Sequence, residues 1–161
     1  MRKNISLLCL TGLLLAMYGC KKDSSNNPSS TNAALTGKWL TTKERTRVYS
    51  TAGALLKDST HIFANDLISN AWFETYTKNG TGAVITNQGD TSLTYTYKIS
   101  GSALTIYEFG DPGEPQVSKI MSVNGASMEL ETSYTSTPSS GWGLDLGTNY
   151  NFVEDDYYTR Q

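Results

Sequence analysis

The sequence predicts an all-β protein, an antiparallel up-and-down β-barrel of about eight strands, on three observations. First, residues 95–107 read Tyr-Thr-Tyr-Lys-Ile-Ser-Gly-Ser-Ala-Leu-Thr-Ile-Tyr. Tyr95, Tyr97 and Ile99 share one face going into a Ser100-Gly101-Ser102 turn and Leu104 and Ile106 share one face coming out; this period-two alternation is that of a hairpin with one buried side. Second, further segments of the same kind follow one another between short turns rich in Gly and Asn, with no internal repeat. Third, a lone hairpin is marginal in water and needs more strands over its apolar face, and eight strands close into a barrel that is filled by side chains or holds one small ligand.

The chain opens on an export signal. Arg2 and Lys3 precede an apolar run over residues 5–17, too short to span a bilayer permanently, and Gly19-Cys20 places a small residue before a cysteine. Residues 1–19 therefore read as a signal peptide. Cleavage before Cys20 leaves 142 of the 161 residues and discards Cys9, so the fold must stand without an internal disulfide. A domain of that size buries roughly two-thirds of its unfolded surface, which is sufficient. Loss of Arg2 and Lys3 leaves 11 basic against 15 acidic side chains, a net charge of −4 that gives no reason to expect nucleic acid as a partner.

Residues 20–34 are Ser- and Asn-rich without apolar periodicity and read as a tether, with the barrel domain over 35–161. A first strand is expected from Leu35 to about Ser50, favoured by its Thr, Val and Tyr content. Residues 51–70 form a connection that has room for a hairpin strand and a short helix. Residues 72–76 and 82–87 read as strands about Lys78-Asn79-Gly80, where Asn-Gly supplies the positive φ angles of a tight turn. Past the central hairpin, residues 115–123 carry Val117, Ile120 and Val123 at threes rather than twos, which a bulge would re-phase. Met128, Leu130, Thr132 and Tyr134 alternate against Glu129, Glu131 and Ser133. Residues 135–148 break the rhythm with Pro138 and three glycines around Trp142, as a lid or a packed strap, and residues 150–160 supply the last strand.

Several of these residues resemble known families. Gly37-x-Trp39 on the first strand, with Arg160 on the last, is similar to the opening and closing pattern of lipocalins. Tyr76-x-x-Asn79-Gly80-x-Gly82 and Tyr97-x-Ile99-x-Gly101-x-x-Leu104-x-Ile106 resemble lipocalin-like domains of Bacteroidetes lipoproteins. The resemblance implies that Gly37, Trp39 and Arg160 are structural, with Trp39 plugging one end of the barrel and the guanidinium over its indole. It also implies acylation of Cys20, a place in the cell envelope as an outer-membrane lipoprotein, and membrane contact through the lipid anchor only. It names a fold and a possible cavity, not a ligand.

Chemistry is sparse. His61 is the one histidine, lies in the least regular segment, and has no Gly-x-Ser-x-Gly elbow to serve; no His or Cys cluster stands at metal-ligand spacing. No enzyme, metal or cofactor is expected. Glu154-Asp155-Asp156 is the densest acidic run and reads as a solvated strand edge, since neighbouring strand residues point to opposite faces. Glu108, two residues after Ile106, is the one carboxylate assigned inward; the others are assigned to turns or outward positions. The aromatic side chains either fill the core or line a cavity. The first reading is a small apolar or amphipathic ligand held between Trp72, Tyr97, Ile106, Leu130, Tyr134 and Trp142. The alternative is a ligand-free envelope interaction module that works through its rim loops.

Overall fold

The computed structural model describes residues 28–63, 72–86, 88–108 and 115–161. The segment 1–19, Cys20, the possible helix after Phe63 with Leu67 and Ile68, and the turn at 110–113 lie outside the described residues.

Nine strands are present among the described residues: β1 Gly37–Tyr49, β2 Leu55–Ile62, β3 Trp72–Tyr76, β4 Thr81–Thr86, β5 Thr91–Ser100, β6 Ala103–Glu108, β7 Gln116–Val123, β8 Ser127–Ser136 and β9 Tyr150–Arg160. All pairings are antiparallel. From β3 to β9 each strand pairs with the next, and β1 pairs with both β3 and β9, which closes an eight-stranded barrel. The ninth strand, β2, lies outside that circuit. β1 makes this possible by dividing one of its edges: Gly37–Leu40 pair with β3, whereas Lys43–Tyr49 pair with β2. Its other edge runs against β9 from Trp39 to Tyr49, with a bulge at Thr42 whose hydroxyl donates to the Tyr157 carbonyl at 3.0 Å.

The central hairpin has the register its alternation requires. Tyr95 pairs with Glu108, Tyr97 with Ile106, Ile99 with Leu104, and Ser100 with Ala103 across a two-residue turn in which Gly101 has φ +61°. A bulge between Ile120 and Ser122 lets Ser118 and Ile120 face inward while β7 continues to Val123.

Order begins earlier than the tether reading allows. Pro28–Leu35 forms a helix, α1, across residues whose polar composition gives no helical periodicity. Tertiary contacts make it: Leu35 is fully buried in the main core, Trp39 Nε1 donates to the Leu35 carbonyl at 2.7 Å, and the Thr36 hydroxyl donates to the Asn32 carbonyl at 2.9 Å. The helix lies against β5 and β7 at one end of the barrel. Arg160 joins it there, with its guanidinium carbon 4.4 Å from the Trp39 ring centroid and its two terminal nitrogens donating to the carbonyls of Thr36 and Ala34.

Gly82 and Tyr95 explain one glycine of the sequence motif. They sit opposite each other on β4 and β5, and a Cβ on Gly82 would stand 2.2 Å from the Tyr95 ring and 2.4 Å from the Thr75 carbonyl oxygen. The ring therefore lies flat over the glycine, and its hydroxyl donates to that same carbonyl at 3.0 Å.

Two cores result. The main one, inside the barrel, includes Leu35, Trp39, Tyr76, Tyr95, Tyr97, Leu104, Ile120, Met128, Leu130 and Tyr158. The second consists of Val48, Tyr150 and Phe152, with Trp142 and Leu144 against them, where β1, β2, β8 and β9 run on past the barrel. The outer face carries the ion pairs: Arg47 donates to both carboxylate oxygens of Asp155 at 2.7 and 2.8 Å and to Glu131 at 3.3 Å, while Arg45 holds Asp58. Three lysines cover outward aromatic rings, Lys38 on Phe73, Lys43 on Tyr157 and Lys98 on Tyr107.

Candidate functional site

The inner face of the barrel is more acidic than its sequence suggests. In an antiparallel pair, directly opposite residues share a face, so β9 presents Tyr158, Asp156, Glu154 and Phe152 inward against Thr41, Glu44, Thr46 and Val48 of β1. On β3 the same alternation places Glu74 inward beside Tyr76.

Four of these side chains, Glu74, Tyr76, Asp156 and Tyr158, help to line a cavity of about 80 Å³. Its wall is made by Glu74 and Tyr76 of β3, Val84 of β4, Leu93 and Tyr95 of β5, Ile106 and Glu108 of β6, Gln116 and Ser118 of β7, Leu130 of β8, and Asp156 and Tyr158 of β9. Seven of these twelve residues are apolar or aromatic, and three carboxylates face the same space. Glu74 is the most tightly held: the Tyr76 hydroxyl donates to Oε2 at 2.6 Å and the Tyr158 hydroxyl to Oε1 at 3.2 Å. Burial raises its pKa, and those two hydrogen bonds oppose the rise. Burial likewise pushes the Tyr76 and Tyr158 phenols well above their ordinary value, and the Glu74 charge adds to it, so both remain donors. Asp156 is pushed up to about 7, first by burial and then by the charges of Glu44, Glu74, Glu154 and Asp155. Among the described residues no donor bonds its carboxylate.

This corrects the assignment of carboxylates other than Glu108 to turns or outward positions. Glu74 and Asp156 line the cavity, and Asp155, on the opposite face, is only 5% exposed in its ion pair with Arg47, so the acidic run is not a solvated edge. The signal was present in the alternation: Glu74 stands two residues before Tyr76, and Asp156 two before Tyr158. The tyrosines mark the inner face, and period two carries the acids with them.

The six residues named from sequence fall in different places. Ile106 and Leu130 line the cavity. Tyr97 is buried toward the closed end, edge-on to Tyr76 at 5.2 Å; its hydroxyl donates to the Thr77 carbonyl at 2.5 Å and lies 3.0 Å from the Asn32 side-chain amide. Trp72 shares the face of Glu74 but is 50% exposed. Trp142 packs on the second core, edge-on to Phe152 at 5.9 Å, and the exposed Tyr134 stacks on the same ring with centroids 5.2 Å apart. Lys57 fixes the Trp142 segment, donating to its carbonyl at 2.8 Å with the ammonium 5.1 Å from the indole centroid. Five of the six thus divide among the cavity, the closed end and the overhanging sheet, and Trp72 stands exposed on β3.

Other chemistry finds little support in the geometry. His61 is exposed on β2, edge-on to Phe63 at 4.4 Å, far in the topology from the cavity strands. Among the described residues no group of three or more His, Cys, Asp or Glu is placed to hold a metal ion, and no helix is long and apolar enough to cross a membrane.

Fold and interior together define a class: a small closed antiparallel β-barrel whose described residues line a cavity partly open to solvent, apolar on its sides and acidic in part of its lining. A scan against protein-family models gives no match, and a search of curated proteins gives none either.

Proposed function

We propose that this chain is a lipid-anchored envelope protein, acylated at Cys20, whose lipocalin-like barrel binds a small amphipathic ligand, without catalysing a reaction on it. The observation that carries the reading is the cavity within a closed barrel, where Val84, Leu93, Ile106 and Leu130 offer apolar contact beside tyrosine and carboxylate groups that can orient a polar end. At about 80 Å³ it has room for about five water-sized groups, so it takes the end of a ligand or a compact whole one. The polar lining favours an amphipathic guest over a purely apolar one.

Native mass spectrometry of the mature domain after incubation with a lipid and metabolite panel tests the ligand, with Leu130→Trp as a variant that fills the cavity. A retained small molecule that the variant loses supports the reading. An empty barrel across the panel, with the variant indistinguishable from the parent, overturns it. Labelling of the full-length chain with a radioactive fatty acid, lost in Cys20→Ala, tests the anchor.

A second reading, a protein-interaction module acting through the rim, draws on the exposed Leu55, Leu56 and Ile62 of β2. These sit on the strand outside the barrel circuit, and β2 pairs with β1 on one edge alone among the described residues. Capture of a partner from envelope extract that survives Leu130→Trp and is lost on charging Leu56 would favour it.

A further inference from the structure

We infer that the end of the ligand that enters the barrel cavity is an organic cation, an ammonium or guanidinium group on a short apolar stem. The inference rests on the ligand-binding reading above and adds the charge of the guest.

Glu74 and Asp156 face the cavity, Glu108 lines it from an exposed position, and no Lys, Arg or His is among its lining residues. Glu44 on β1 stands directly opposite Asp156 on the same face, and Glu154 precedes it by two residues, so the negative charge extends along the inner wall. The basic side chains that could neutralise these groups are engaged elsewhere. Arg45 and Arg47 hold Asp58, Asp155 and Glu131 on the outer face, Lys38 and Lys43 cover outer rings, and Arg160 is bound to carbonyls at the closed end. A carboxylate withdrawn from water without a counter-charge is costly, and a protein relieves the cost by neutralising it with a proton or a cation. Tyr76 and Tyr158 supply hydrogen bonds to Glu74 but no charge; Asp156 has neither.

The rest of the wall selects an organic cation over a metal ion. Among the described residues the carboxylates do not converge at ligand spacing, whereas the apolar side chains fit an alkyl stem and Tyr76, Tyr95 and Tyr158 add aromatic rings to the wall, a group that attracts cations. An anionic guest would meet like charge on three sides. A neutral one would leave the acids as they are.

A proton accompanies the exchange. Every titratable neighbour of Asp156 is an acid or a phenol: Glu44 from β1, Glu74 and Tyr76 from β3, Tyr95 from β5, Glu108 from β6, Glu154, Asp155 and Tyr158 from β9; β7 adds only Gln116 and Ser118, and β8 Leu130. With its pKa near 7, Asp156 is partly protonated at neutral pH, and an entering cation displaces that proton. Affinity for the cation therefore rises as pH rises through 7.

Isothermal titration of the mature domain with n-hexylammonium, 1-hexanol and hexanoate separates the possibilities, because an aliphatic ammonium stays charged to about pH 10. At pH 8 the ammonium is expected to bind about tenfold or more tightly than the alcohol or the carboxylate. At pH 5 the advantage shrinks, and near pH 7 the heat depends on the buffer through the released proton. Asp156→Asn removes the pH dependence and most of the preference for the ammonium over the alcohol, and a thermal melt verifies that the variant is folded. Equal binding of all three probes, or tighter hexanoate, overturns the charge preference and leaves a neutral-ligand barrel standing. Binding of none, with an empty native mass spectrum, removes the ligand-binding reading itself and this inference with it.

Discussion

The two ends of the molecule are built from the same pair of strands but by different means. At the closed end β1 and β9 meet α1, and the contacts are specific to the backbone: Trp39 to the Leu35 carbonyl, Arg160 to the carbonyls of Thr36 and Ala34, with Trp39 and Leu35 fully buried. At the other end β1 and β9 continue beyond the barrel beside β2 and β8, over a core of three buried residues, and the covering segment is held by ring contacts and one lysine. Bonds to carbonyls fix one register and one geometry, whereas rings packed edge-on and face-on have near neighbours of similar energy. The molecule is sealed where three side-chain bonds to carbonyls pin the chain, and its exposed aromatic surface lies where ring packing and a single such bond, from Lys57, hold the cover.

Breaking the sealed end should have the largest effect. Trp39→Ala removes a fully buried indole and its hydrogen bond and is expected to destabilise the barrel by about 4 kcal/mol, measured by chemical denaturation. A loss no greater than that of a surface substitution would erase the contrast. Between the two ends, Asp156→Asn is expected to act in the opposite direction. Folding raises the pKa of Asp156 from 3.8 to about 7, so the folded state holds the proton more tightly and the native chain loses stability as pH climbs from about 4 to above 7. The Asn variant escapes that loss: the two proteins should match near pH 4 and differ by about 3 kcal/mol in favour of the variant at pH 8. Parallel stability curves from pH 4 to 8 would refute a buried acid there.

Gly82→Ala sharpens the comparison further. It forces a methyl into the Tyr95 ring near the closed end and is expected to cost about 2 kcal/mol, and to cost less in a Tyr95→Leu background, where the ring is gone. Trp142→Ala, at the other end, should cost only about 1 kcal/mol, because the indole is half-buried over a small core, and hydrogen exchange should accelerate in β2 and the ends of β8 and β9 while β3 to β6 are unchanged. An equal effect on exchange throughout the barrel would make the two ends one cooperative unit.

Much of the barrel was legible because alternation survives wherever a strand has one wet and one dry side. The hairpin of β5 and β6, the re-phasing bulge in β7 and the meeting of the first and last strands follow from spacing and turn residues. Helix α1 was not, since Ser and Asn residues gain their order from Leu35 and Trp39 rather than from any pattern of their own. Nor was the partner change in β1, because hydrogen bonding along a strand edge leaves no mark in side-chain order. The acidic lining of the candidate site was hidden for a different reason. Charge was taken as a sign of solvent, and the inner wall places Glu74 and Asp156 where period two puts them regardless of that rule. Two of the six residues named for ligand contact lie at the cavity; Tyr97, Tyr134 and Trp142 pack on other rings at the closed end and the overhang, and Trp72 is exposed on β3.

Since Leu40 is the last residue of β1 that β3 holds and Lys43 the first that β2 holds, the ribbon formed by β2 can lift away without unzipping the tube. Its turn at residues 51–53 is solvent-facing, so a peptide spliced there would be displayed on a detachable arm, and the vessel behind it would keep its shape and contents.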